Sequence, residues 1–223
     1  MLFDKIIKGK RAFKLKVKPK GYGNLNKPVP DEIPKPNVGC GIHTDKCQGL
    51  LFSWIVSQEE AMDYDDVEGT ITSTRELLTE DTGLVECRNG VTRKGHKYIY
   101  NIQKMRYSGE GMPVPEVSYN LNFNVNIDGV NYFINGNYVE VGITGLRDSL
   151  GFSLFQKSVE EKHPDENYSV KDIMKMFFRD PYDENYKEGF LMNVSEDESM
   201  DEQFPDHPLS MLRKYVKWVI ENN

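Results

Sequence analysis

The most regular stretch of the chain runs from 117 to 127. Val117, Tyr119, Leu121, Phe123, Val125 and Ile127 alternate without a break with Ser118, Asn120, Asn122, Asn124 and Asn126. A period of two held this long predicts a strand with one dry and one wet face. Asp128-Gly129 then supplies a two-residue turn. Folding back on it sets Ile127 opposite Val130, Val125 opposite Tyr132, Phe123 opposite Ile134 and Tyr119 opposite Tyr138. The apolar partners fall on one face, as a hairpin in register requires. Asn135-Gly136 interrupts the second arm and predicts a bulge, after which Val139 and Val141 take the inward role.

Other segments carry weaker periodicities. Phe13, Leu15 and Val17 alternate with lysines, the pattern of a charged edge strand. Pro19, Pro28, Pro30, Pro34 and Pro36 then mark an extended arm. Leu50 to Val56 is nearly all apolar and predicts a central strand. Val67, Ile71, Thr74 and Leu78 make one helical stripe running to about Thr79, which Gly69 weakens by about 1 kcal/mol relative to Ala. Leu84–Cys87 predicts a strand ending at an Asn89-Gly90 turn. Tyr98, Tyr100, Ile102 and Lys104 form one phase of the next strand. Gly109, Gly111, Pro113 and Pro115 mark a break after it. Leu146, Leu150 and Leu154 predict the buried stripe of a helix capped by Thr144. Ser169 and Asp172 resemble a capping box ahead of Val170, Ile173 and Phe177, and Asp180-Pro181 ends that helix. The last helix starts at Asp206 or His207 with Pro208 in its first turn. Leu209, Leu212, Val216, Val219 and Ile220 line its face, and Arg213, Lys214 and Lys217 lie toward its C-terminal end. The order predicts an α+β fold: an antiparallel sheet with a long central hairpin and helices packed on one face. All 223 residues are read as a single domain, with a basic, proline-rich arm (1–45) and a helical, acidic C-terminal extension (169–223).

Charge narrows the functional classes. The net charge of −7 and pI near 5.2 argue against a nucleic-acid partner. Eight basic residues and no acidic one lie between Lys5 and Lys20, whereas ten acidic residues and one lysine lie between Asp180 and Asp206. Both segments read as solvated; a basic arm for anionic lipid or RNA is the alternative for the first. Aromatics at 11% argue against wholesale disorder. No window approaches the roughly 18 apolar residues of a membrane span. The start runs into lysines instead of an apolar leader, and the three cysteines suit reduced thiols, so a cytoplasmic location is expected.

Candidate chemistry centres on Cys40, His43 and Cys47, soft ligands three and four residues apart that suit zinc, although no second ligand pair follows. Cys87 and His96 flank a predicted turn and offer a thiolate–imidazole pair. Gly142 to Gly145 opens a helix and offers backbone N–H groups to an anion, with Arg147 and Asp148 beside it. The acidic run with Glu196, Asp197, Glu198, Asp201 and Glu202 offers oxygens to calcium but lacks the spacing of an EF-hand loop; with Arg147 it is the candidate binding surface. The asparagine ladder could take a polar ligand or only keep the strand soluble.

The buried strand at 50–56, the helix ending Arg75-Glu-Leu-Leu78, the antiparallel strands, the Asp128-Gly129 hairpin and the helix at 144–157 resemble the Mog1/PsbP-like fold over roughly residues 46 to 160. Proteins of that fold include a nuclear-transport cofactor, photosystem accessory proteins and bacterial envelope proteins. The resemblance implies a small binding or assembly module without catalysis, and carries over no functional residue. The expectation is a protein-binding module that needs no cofactor and contacts its partner through the open flank of the sheet or the acidic 180–206 segment. The alternatives are a metal-dependent or cysteine hydrolase built on Cys40, His43 and Cys47, and a structural subunit of a larger complex.

Overall fold

The computed structural model describes residues 13–25, 33–35, 37–107 and 116–223. Lys5, Lys8, Lys10, Arg11, Pro28, Pro30, Pro36 and the break at 109–115 lie outside them. Seven strands form one antiparallel sheet: β1 (Gly23–Asn24), β2 (Asn37–His43), β3 (Cys47–Val56), β4 (Thr82–Val91), β5 (Lys97–Tyr107), β6 (Glu116–Ile127) and β7 (Val130–Glu140). Their order across the sheet is β1-β2-β3-β7-β6-β5-β4. The long hairpin therefore lies at the centre, and β3 is a central strand beside it.

The hairpin register matches the alternation: Ile127 faces Val130, Val125 faces Tyr132, Phe123 faces Ile134 and Tyr119 faces Tyr138. Asp128 and Gly129 both take positive φ, 52° and 81°, as a tight hairpin turn demands. The predicted bulge at Asn135-Gly136 does not form. Gly136 continues the ladder opposite Leu121, and a Cβ there would lie 2.8 Å from Leu51 Cδ2. The glycine makes room for the core, and Tyr138 stays inward. The register shift of the sheet falls between Leu84 and Glu86. The Asn89-Gly90 turn is likewise displaced: β4 runs on to Val91, and the reversal comes at Gly95, with φ 85°. Gly90 stays in the strand with the Tyr98 ring lying over it, the hydroxyl 2.8 Å from where a Cβ would sit.

Four α-helices occur among the described residues: α1 (Val67–Glu76), α2 (Leu146–Lys162), α3 (Val170–Phe177) and α4 (Pro208–Asn222). Asp66 caps α1, accepting from Gly69 N at 2.7 Å. The Ser169–Asp172 box forms at α3. At α4 His207 is the cap, its Nδ1 accepting from Leu209 N at 3.2 Å, with Pro208 in the first turn. α4 lies on the dry face of the hairpin. Its Leu209, Leu212, Val216 and Val219 are buried in the same core as Leu121, Phe123, Ile134 and Leu51, each worth on the order of 2 kcal/mol. α1 lies against the opposite face at the sheet margin, where Ile71 packs on Leu84 and Cys87.

Leu15 and Val17 of the arm join the main core with the lysines between them exposed. This segment does not extend the sheet as an edge strand. Side chains hold its backbone instead: Asn223 bonds both Lys16 N and Lys16 O, and Tyr215 OH donates to Val17 O at 3.0 Å. Arm, sheet and C-terminal helix thus share one core. No described helix is long and apolar enough to cross a membrane.

Candidate functional site

The strand geometry separates the predicted metal ligands. Cys40 and His43 are three residues apart on β2, and an odd spacing in a strand sends side chains to opposite faces. Cys40 and Cys47 are buried on the dry side, whereas His43 is exposed. No group of three or more potential ligands that could hold a metal ion occurs among the described residues. Burial pushes the Cys40 thiol up to about 11 and that of Cys47 to about 12, so both are protonated at neutral pH. Cys87 is raised to about 11, first by burial and then by Glu86. It faces Asn101 in the ladder, while His96 sits in the turn beyond Val91. A protonated thiol with no imidazole beside it is a poor nucleophile.

The acidic segment turns inward. Glu196, 1% exposed, accepts from Lys104 Nζ at 2.9 Å, Tyr119 OH at 2.9 Å and Asn193 N at 2.7 Å. Arg147, also 1% exposed, donates to Ser195 O at 2.7 Å, Ser210 Oγ at 2.8 Å, Asp197 O at 3.2 Å and Asp201 Oδ1 at 2.9 Å. Arg213 joins Asp201 to Glu86, with Nε 2.8 Å from Glu86 Oε2. Asp197 pairs with Arg179 at 2.7 Å and Glu198 with Arg88 at 3.0 Å; Glu202 is exposed. Asp148 accepts from Ser195 Oγ at 2.6 Å. Gly151 lets α2 approach, since a Cβ there would lie 2.4 Å from Ser195 Cβ. The segment also covers the outer edge of β4: Tyr182 OH accepts from Cys87 N and donates to Cys87 O, and Asp180 pairs with Arg75. Tyr182 thereby satisfies the outward N–H and C=O of Cys87 on this edge strand. These carboxylates and Arg147 thus act as a clamp between α2, α4 and the sheet.

The clamp was partly readable. Lys104 lies in the same phase as Tyr98, Tyr100 and Ile102, and a cation in a dry phase requires a buried anion. Nothing in the spacing says that Glu196 supplies it. The anion site at the start of α2 is also taken internally, because Gly145 N donates to Glu140 Oε2 at 2.8 Å.

Two surfaces remain. On the wet face the amides bond one another. Asn137 Nδ2 donates to Asn120 Oδ1 at 2.6 Å, Asn135 Nδ2 to Asn122 Oδ1 at 3.1 Å, and Asn122 Nδ2 to Asn101 Oδ1 at 3.1 Å. This lattice satisfies most of its own bonding capacity, as a ladder that keeps the strands soluble would. Asn124, 1% exposed, is an exception, its Oδ1 finding no partner among the described residues.

The other surface lies on α2. Its buried positions are Arg147, Gly151 and Val159. The leucine stripe expected to face the core points outward: Leu146 is 59% exposed, Leu150 43% and Leu154 44%, with Ile143 just ahead at 87%. The helix has rotated because Arg147 brings a guanidinium that Ser195, Asp197 and Asp201 satisfy only from inside. The stripe beside it is left in water. No family model matches the chain, and no curated protein matches it in sequence.

Proposed function

We propose that this chain is a non-catalytic binding module that engages a partner protein through the apolar stripe of α2. The observation that carries this reading is the exposure of Ile143, Leu146, Leu150 and Leu154 together. Single exposed apolar residues are ordinary, whereas a contiguous group of them marks an interaction site. Leu146 to Leu154 spans about 12 Å of helix, and anchors at i, i+4 and i+8 are the pattern by which a helix seats in an apolar groove. The clamp through Arg147 and Gly151 makes α2 a rigid platform, so little ordering cost accompanies docking. The resemblance to the Mog1/PsbP-like fold, which implies binding or assembly without catalysis, points the same way. The acidic 180–206 segment contributes by holding α2 in place.

A photoreactive phenylalanine analogue placed at Leu150, with a control at the exposed Thr72, tests this in an extract of the native cell. The expected result is a discrete adduct with another protein at 150, absent at 72, and lost when Leu146→Glu and Leu154→Glu are added. Absence of any adduct at 150 would overturn the reading. An adduct with a second copy of this chain alone would also overturn it, making the stripe a homodimer seam.

A further inference from the structure

The N-terminal arm and α4 enclose a groove of about 250 Å³ that is distinct from the α2 stripe. Tyr22, Tyr215 and Trp218 line it as a run of rings, with centroids 5.8 Å apart for the first pair and 6.3 Å at 28° for the second. The two phenol hydroxyls are spent inside the fold. Tyr22 and Tyr138 hydroxyls lie 2.7 Å apart, and Tyr215 OH donates to Val17 O. Tyr215, 1% exposed, packs against both neighbours, so the half-buried Tyr22 and Trp218 rings are the ones that offer apolar surface to the groove. Pro19 and Pro205 line the groove too.

Charge surrounds the groove unevenly. Among the described residues Asp206 is the only acidic one lining it, and Lys46 Nζ lies 3.7 Å from its carboxylate. Lys214 is exposed and lines the groove, with Nζ donating to Pro205 O at 2.7 Å, and the exposed Lys18 and Lys20 flank Pro19. The balance is cationic on a chain of net charge −7.

We propose that this groove docks an extended, proline-rich segment of a partner protein that carries acidic residues beside its prolines. A polyproline II segment has no internal hydrogen bonds, and its prolines bring no N–H to be buried, so aromatic surfaces bordered by proline suit it. The neighbouring lysines supply the complement to its carboxylates and add an ionic-strength dependence.

The full chain with Trp54→Phe, which leaves Trp218 as the sole indole, is titrated with a synthetic peptide of repeated Pro-Pro-Glu. Indole fluorescence and calorimetry are followed. A repeated Pro-Pro-Lys peptide and a Gly-Ser-Glu peptide of equal length serve as comparisons. The expected result is saturable binding of the Pro-Pro-Glu peptide, weaker by about tenfold or more for Pro-Pro-Lys, and none for Gly-Ser-Glu. Lys214→Glu, an exposed change that leaves the fold intact, lowers that affinity several-fold. Trp218→Ala, followed by calorimetry, lowers it by about tenfold. The proposal is overturned by absence of saturable Pro-Pro-Glu binding at about 1 mM, by equal binding of Gly-Ser-Glu, or by an affinity that Lys214→Glu does not change.

Discussion

Removing the Lys104 ammonium leaves a carboxylate in the core. Lys104 and Glu196 are each 1% exposed at the side chain and 2.9 Å apart. At an effective dielectric constant near 20 their attraction is about 6 kcal/mol. Most of that offsets the cost of taking both ions from water, so the pair adds little net stability; breaking it is what costs. Lys104→Met strands Glu196 with the neutral donors Tyr119 OH and Asn193 N as its remaining partners among the described residues. Glu196→Gln keeps an acceptor for one of those donors but strands the ammonium over the Phe190 ring, 3.9 Å from its centroid. Each single change should destabilise the fold by about 3–5 kcal/mol. The double variant Lys104→Met/Glu196→Gln removes both charges and should lie within about 2 kcal/mol of the parent, a coupling energy of several kcal/mol. Urea unfolding of the four proteins at pH 7, with a common m-value, measures all the terms. Single costs below about 1 kcal/mol, or additive ones, would refute the argument that the acidic segment is held by buried charge.

Further outcomes follow from the same coordinates. Burial, with Arg147 and Arg213 nearby, lowers the His207 imidazole from its ordinary value to about 3. The unfolded chain takes up that proton below about pH 6.5 and the folded one does not, so stability falls with pH, by on the order of 2 kcal/mol between pH 6.5 and 5. Glu140, whose carboxyl burial raises, acts in the opposite sense near its own titration. His207→Asn keeps a capping side chain and should flatten the curve in that window; an unchanged slope by thermal unfolding would contradict the assignment. At pH 8, Cys40, Cys47 and Cys87 should react with a thiol reagent about 100-fold more slowly in the native than in the unfolded protein, and rapid labelling of any one would contradict its burial. Gly136→Ala should cost about 1–3 kcal/mol through its contact with Leu51, and a neutral result in urea would show that the site relaxes freely.

The parts of the fold legible in the sequence are those set by local alternation. The hairpin was readable to the residue from 117 to 134, because a single-residue slip would have turned every asparagine into the core, whereas the bulge expected at Asn135-Gly136 does not form. The errors lie where a distant side chain decided. Asn89-Gly90 is a good turn in isolation, but Gly90 stays in the strand with the Tyr98 ring lying over it. The stripe Leu146, Leu150 and Leu154 scores as buried on hydropathy alone; Arg147 reversed the face by finding acceptors about 50 residues away. Cys40, His43 and Cys47 look like ligands only if the segment is a loop, and as a strand its parity parts them. The acidic run looked solvated because its cations, Arg88, Lys104, Arg147, Arg179 and Arg213, come from five separate stretches of the chain. Pairings of that kind leave no periodic trace.

Amide hydrogen exchange, read peptide by peptide, tests most directly whether the 192–201 segment is an internal clamp that fixes α2. Protection of Asn193, Ser195 and Glu196 on the timescale of the β5 and β6 amides is the expected result, collapsing in Lys104→Met while the hairpin stays protected. Exchange of that segment within seconds in the parent protein, as for a solvated acidic loop, would contradict the account.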